Sequence, residues 1–209
     1  MFKRSPYRKL RLVQSSGFRC GGALLAGSAL VLPWQVRVIP VCSSTETLLT
    51  AWLQQEPRLP VAVVAKKQRF GRGTANRSWQ SPSGGLWLSA AIPWFGESPQ
   101  AENLPILMAA ALEAELQSLG IGPQLQIKAP NDLIVGNQKL AGVLTSVVWR
   151  GLRVRHVRFG IGLNGRHPIR PPGITLEQLL GKRCPPWQQL VLLGLRAVEK
   201  LAINASHQC

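Results

Sequence analysis

The chain has 209 residues, of which 45% are hydrophobic and 16% charged, which excludes a disordered chain and leaves enough apolar surface for one sizeable core. It carries 25 Lys plus Arg against 9 Asp plus Glu, a formal net charge of +16. That balance suits an acidic partner or a polyanionic substrate. The 17 Arg are spread through the chain without a polybasic block, which argues against nucleic-acid binding as the main role.

Residues 1–33 are basic and then apolar. Lys3, Arg4, Arg8, Lys9, Arg11 and Arg19 come early, and no acidic residue precedes Glu46. The small-residue run 21–32 imitates a signal peptide but lacks a clean cleavage site, and it is too short to cross a bilayer. Residues 1–33 therefore read as a poorly ordered extension and residues 34–209 as one domain. Alternating β-branched residues over 36–41 predict a strand. Ser43, Ser44 and Thr45 then supply hydroxyl caps for a helix over 45–55, stopped by Pro57 and Pro60. A buried strand follows over 61–65.

The stretch 66–85 is polar, Gly-containing and too long for a plain turn, so it is read as functional. An apolar strand is predicted over 86–92 and an Ala- and Leu-rich helix over 102–119, with Pro105 in its first turn. Residues 125–128 form a strand that delivers Lys128 at its end. Residues 133–140 read as a hairpin about Gly136-Asn137. Two antiparallel strands over 141–149 and 152–161 turn at Arg150-Gly151, and an amphipathic helix over 188–201 closes the chain. Consecutive hairpins without regular βαβ repeats give an α+β class, with a mixed, largely antiparallel sheet packed against helices.

Cys20, Cys42, Cys184 and Cys209 lack CxxC or metal-ligand spacing, and His156, His167 and His207 lack zinc spacing. The expectation is free thiols in a reducing, cytoplasmic compartment and no metal site.

Chemistry concentrates in a few blocks. Gly71-Arg72-Gly73 is followed by Arg77-Ser78-Trp79 and by Ser81-Pro82-Ser83-Gly84-Gly85. Glycines let backbone amides approach oxyanions, and an adjacent Arg pairs with them. The only Asp of the chain, Asp132, lies in Lys128-Ala129-Pro130-Asn131-Asp132-Leu133, seven residues before Lys139-Leu140-Ala141-Gly142. Lys128 is the strongest single candidate, because an ammonium between two reacting anions lowers their repulsion. Asp132 is expected to orient Lys128 or Asn131, or to cap a turn. Gly160-Ile161-Gly162-Leu163-Asn164 is a further small-residue block.

Taken in order, these blocks resemble the catalytic domain of biotin–protein ligases over about residues 36–201. The resemblance implies activation of biotin by ATP, with Mg²⁺, to biotinyl-5′-AMP. Transfer to a lysine of a biotin carboxyl carrier protein would follow. It implies Lys128 and Arg72 as catalytic groups. Ser44, Thr45, Glu46, Gln68, Arg72, Gly73, Thr74 and Lys128 would contact biotin. Gly71, Arg72, Arg77, Trp79, Asn131, Lys139 and Asn164 would contact ATP.

The chain departs from the family pattern in several places. Thr74 stands where a second Arg is expected and Asn76 where a third Gly is expected. Ala129 replaces a Trp, Glu46 replaces an Asn, and Ser146 stands where an acidic residue is common. Neither an N-terminal helix-turn-helix nor a C-terminal SH3-like domain is expected, so no DNA partner and no membrane association are implied. The choice between monomer and homodimer stays open. The alternatives are a lipoate or octanoate ligase or transferase on the same fold, or a non-catalytic biotin- or nucleic-acid-binding protein.

Overall fold

A computed structural model of the chain describes residues 9–10, 30–94 and 102–206. The extension expected over 1–33, Cys20, Cys209 and His207 thus fall largely or wholly outside the described residues. The centre is an eight-stranded sheet. In chain order its strands are β1 (Lys9–Leu10), β2 (Gln35–Cys42), β3 (Val61–Gln68), β6 (Leu86–Ile92), β7 (Leu125–Lys128), β8 (Asp132–Val135), β9 (Gln138–Arg150) and β10 (Arg153–Leu163). Their spatial order is β1-β2-β3-β6-β10-β9-β8-β7. Only β2 and β3 pair in parallel. They can do so because α1 (Thr45–Leu53) carries the crossover between them. A two-stranded ribbon, β4 (Gly71–Arg72) with β5 (Ser78–Trp79), stands apart from the sheet.

Alternation along the strands builds two cores. Ala62, Val64, Leu86, Leu88, Phe159 and Ile161 face α2 (Leu104–Gln117) and α4 (Trp187–Ser206), and there meet Met108, Leu112, Leu193 and Val198. On the opposite face Val61, Val63 and Ala91 pack against Leu49 and Trp52 of α1. Strand β6 is buried on both faces along its whole length, as a continuous apolar run requires. A short α3 (Leu176–Leu180) begins with a capping box between Thr175 and Gln178.

Some boundaries differ from the pattern-based reading. Strand β3 runs on to Gln68, because Lys67 and Gln68 pair with Val41 and Cys42 of β2 after β6 has ended. That polar extension has no hydrophobic signature. Helix α3 is too short to show helical periodicity.

Candidate active site

A cavity of about 240 Å³ opens between the N-terminal end of α1, the β4–β5 ribbon and the β9–β10 pair. Its polar end is built by hydrogen bonds from three elements. Gln68 Oε1 accepts from Thr45 N at 2.7 Å and from Thr45 Oγ1 at 3.0 Å. That fixes the amide orientation, so Gln68 Nε2 donates to Ser81 Oγ at 2.8 Å. Ser81 Oγ in turn donates to the Trp79 carbonyl at 3.2 Å. Thr45 Oγ1 also meets Ser89 Oγ at 2.9 Å. With the Thr45 proton directed to Gln68, Ser89 is the donor of that pair. Ser44 is buried and caps α1 by accepting from Glu46 N at 3.3 Å.

The roof of the cavity is Trp79. Gly142 and Gly162 are register partners across β9 and β10, and the indole lies on both. A Cβ at Gly162 would stand 2.6 Å from Trp79 Cε2, and one at Gly142 would stand 3.0 Å from Cζ3. The small residues thus admit an aromatic ring onto the sheet. Gly71 also meets a packing requirement of the ribbon. It is absent from the cavity wall, and a Cβ there would collide with Ser81 Oγ and the Trp79 carbonyl. Its lack of a side chain lets the ribbon fold tightly.

The other end of the cavity is cationic. Arg72, Arg77 and Lys139 line it together with Gly73, Thr74 and Asn131. Thr74 holds Arg77 in place, accepting from Nη2 at its hydroxyl (2.8 Å) and from Nε at its carbonyl (3.3 Å). Lys139 Nζ sits 2.6 Å from Asp132 Oδ1 and 4.9 Å from the Trp79 ring centroid. Asp132 therefore partners Lys139, not Lys128 or Asn131. Asn131 Nδ2 donates to the Val143 carbonyl at 3.0 Å. Arg72 and Lys128 are exposed and carry no side-chain hydrogen bond or ion pair among the described residues.

Two further expected positions lie off the cavity wall. Lys128 ends β7, its Cα opposite Asp132, and is absent from the cavity wall. Asn164 is buried, and its Nδ2 is engaged by the carbonyls of Lys139 (3.0 Å) and Ile174 (3.1 Å). Its Nδ2 staples β9 to the segment before α3, while its Oδ1 is buried without a partner among the described residues. Ala129 is exposed between β7 and β8, so the missing Trp leaves no hole in the core.

Three participants escaped the sequence reading. Ser81 and Ser89 join the polar chain, and Arg158 pairs with Glu46. Ser89 had a usable signal: it is the lone hydroxyl in an apolar strand. Arg158 had none that separates it from Arg153 and Arg155. Among the described residues no group of three or more His, Cys, Asp or Glu could hold a metal ion. Cys42, held up to about 11 by burial, and Cys184, raised first by burial, stay protonated thiols outside the cavity wall.

Residues 38–164 match the biotin/lipoate A/B protein ligase family. The chain belongs to that family. It is 36% identical over 142 residues to the biotin–[acetyl-CoA-carboxylase] ligase of Paracoccus denitrificans, covering 63% of this chain and 59% of that protein. It is 37% identical over 103 residues to the bifunctional ligase/repressor BirA of Bacillus spizizenii, covering 49% of this chain and 31% of that one. The chain thus spans less than two thirds of the length of these curated relatives. Among solved structures, the biotin protein ligase of Aquifex aeolicus in complex with biotin and ATP superposes with a TM-score of 0.65 at 26% identity, over 79% of this chain and 69% of that one. The family's catalytic fold is therefore the fold of this chain, and the cavity lies within the matched region.

Proposed function

We propose that this protein is an ATP-dependent biotin–protein ligase, with residues 34–209 as its catalytic domain. The observation that carries the reading is one cavity with two chemically opposite ends. A neutral hydrogen-bonding end, Thr45, Gln68 and Ser89, is joined under Trp79 to a cationic end, Arg72, Arg77 and Lys139. Biotin has the same polarity, with a neutral ureido ring at one end and a carboxylate at the other. The polar chain suits the ring, because Ser, Thr and Gln side chains supply both donors and acceptors. The cationic end suits the carboxylate and the triphosphate of ATP.

In the first step a biotin carboxylate oxygen attacks the α-phosphorus, and the bond to the β,γ-pyrophosphate breaks. Two anions meet, so fixed cations lower the barrier. Arg72 and Lys128 carry this role because neither has a side-chain partner among the described residues. Lys139 is already half-neutralised by Asp132 and serves to seat the phosphates, together with Arg77 and Asn131. Mg²⁺ arrives on the nucleotide as MgATP. In the second step the neutral amine of a carrier lysine attacks the acyl carbon, AMP leaves, and the nitrogen loses a proton. Positioning supplies much of the rate.

The substrate carrier is a biotin carboxyl carrier protein, and the reaction belongs to the cytoplasm. Lipoyl or octanoyl transfer through a cysteine fits less well, because neither described thiol lines the cavity and burial keeps both protonated.

The test is biotin-dependent pyrophosphate release from MgATP with an acidic carrier domain, followed by the carrier's mass. Release with a biotinylated carrier is the expected result. Release dependent on lipoate or octanoate but not on biotin would overturn the reading.

A further inference from the structure

The polar end of the cavity contains one charge pair. Glu46 lines the wall beside Ser44 and Thr45, and its carboxylate is ion-paired with Arg158 of β10. The guanidinium has more than one tie to α1. Arg158 Nη2 also donates to Thr50 Oγ1 at 2.6 Å and to the Glu46 carbonyl at 3.3 Å. Arg158 lies on the same strand face as Gly160 and Gly162, both of which line the cavity. The pair is well shielded, with side-chain exposures of 15% and 25%, against 42% and 76% for the Arg155–Glu56 pair. An exposed pair contributes little, but removing one partner of a shielded pair strands the other charge.

Two departures from the family pattern meet here. Ser146 is the register partner of Arg158 on β9, so side chains at these positions project on the same side of the sheet as neighbours. The strand position where an acid is common carries a hydroxyl, while the helix position where an Asn is usual carries the acid. In this chain the counter-charge of Arg158 comes from α1.

We propose that Arg158 is a positioning residue for the ring-binding end of the pocket: it holds the Glu46 carboxylate and the first turns of α1, so that this wall is charge-neutral before a ligand covers it. An unpaired carboxylate there would have to lose its water against a neutral ring, which is costly. The inference rests on the biotin reading of the pocket and adds a residue outside its wall.

Biotin affinity by calorimetry, and KM for biotin and for ATP, test it in the full chain. Arg158→Met weakens biotin binding by about tenfold or more, with KM for ATP changed by less than about twofold. Adding Glu46→Asn to that variant recovers about tenfold, because no charge is left stranded. Arg158→Lys keeps the charge and stays within about fivefold of wild type. A folded Arg158→Met with unchanged biotin affinity overturns the proposal, as does a double variant no better than the single one. If Arg158→Met does not fold by circular dichroism, the double variant decides: biotin binding supports the proposal and its loss overturns it. A wild type that binds biotin without releasing pyrophosphate rejects the ligase reading and leaves this test intact. A wild type that does not bind biotin overturns both.

Discussion

Charge commitment at single residues separates the cations around the cavity into roles. Lys139 is bound to Asp132 and Arg77 to Thr74, while Arg72 and Lys128 have no side-chain partner among the described residues. Only uncommitted cations can follow charge as it develops on reacting oxygens. Lys128→Ala is therefore expected to lower the rate of adenylate formation by about 100-fold or more while leaving the fold intact. Pyrophosphate release together with the circular dichroism spectrum checks this, and unchanged release would remove Lys128 from the mechanism. Gly162 makes a second residue-scale case. Its missing side chain is where the Trp79 ring sits. Gly162→Val forces the indole off the sheet at a cost of about 1–3 kcal/mol. The expected result is a raised KM for biotin with a shifted tryptophan emission; identical emission and KM would contradict the roof assignment.

The elements divide the work between stability and site. Helices α2 and α4 cover the larger core of the sheet, and Leu112 of α2 is fully buried between them and the strands. Leu112→Ala is expected to cost about 2–5 kcal/mol of stability. Denaturant unfolding measures the loss, while KM for biotin in the folded fraction stays close to that of wild type because Leu112 itself does not line the cavity. Helix α1 has the opposite character. Its buried face is small, but its N-terminal turn carries Ser44, Thr45 and Glu46, so the site depends on how this one helix is seated. Hydrogen bonds to Gln68 and Ser89 seat it from one side and Arg158 from the other.

For the whole molecule, pH acts through two buried imidazoles. His156 is held below the ordinary imidazole value by burial and then by Arg155 and Arg158, and His167 by burial. Both nitrogens of His167 are buried without a partner among the described residues. The unfolded chain takes up protons below about pH 6.5 that the folded chain refuses, so stability present above that pH is lost as pH falls through the folded pKa values. The Tm is expected to fall between about pH 7.5 and 5.5. His156→Gln and His167→Gln should each flatten that slope; a slope unaffected by both would place the loss elsewhere. On the proposed function, the net charge of +16 would add long-range attraction for nucleotide and for an acidic carrier, and this attraction would weaken with salt.

Local chemistry alone determined a good part of this protein. Alternation and apolar runs located the main strands, hydroxyl caps and prolines bounded α1, and the ordered blocks from Gly71 to Asn164 carried the family. Composition and spacing sufficed for the strands and α1 because each of those signals arises within a few residues of chain, whereas the family came from the resemblance of the ordered blocks. The partners of charges were decided only by the tertiary structure. That Asp132 answers Lys139, that Asn164 Nδ2 donates to two backbone carbonyls, and that Arg158 reaches Glu46 112 residues away depend on which strands become neighbours. Hydrogen bonds and ion pairs act over a few ångströms of space, and no pattern along the chain encodes which distant residues the sheet order β6-β10-β9-β8 will bring within that range.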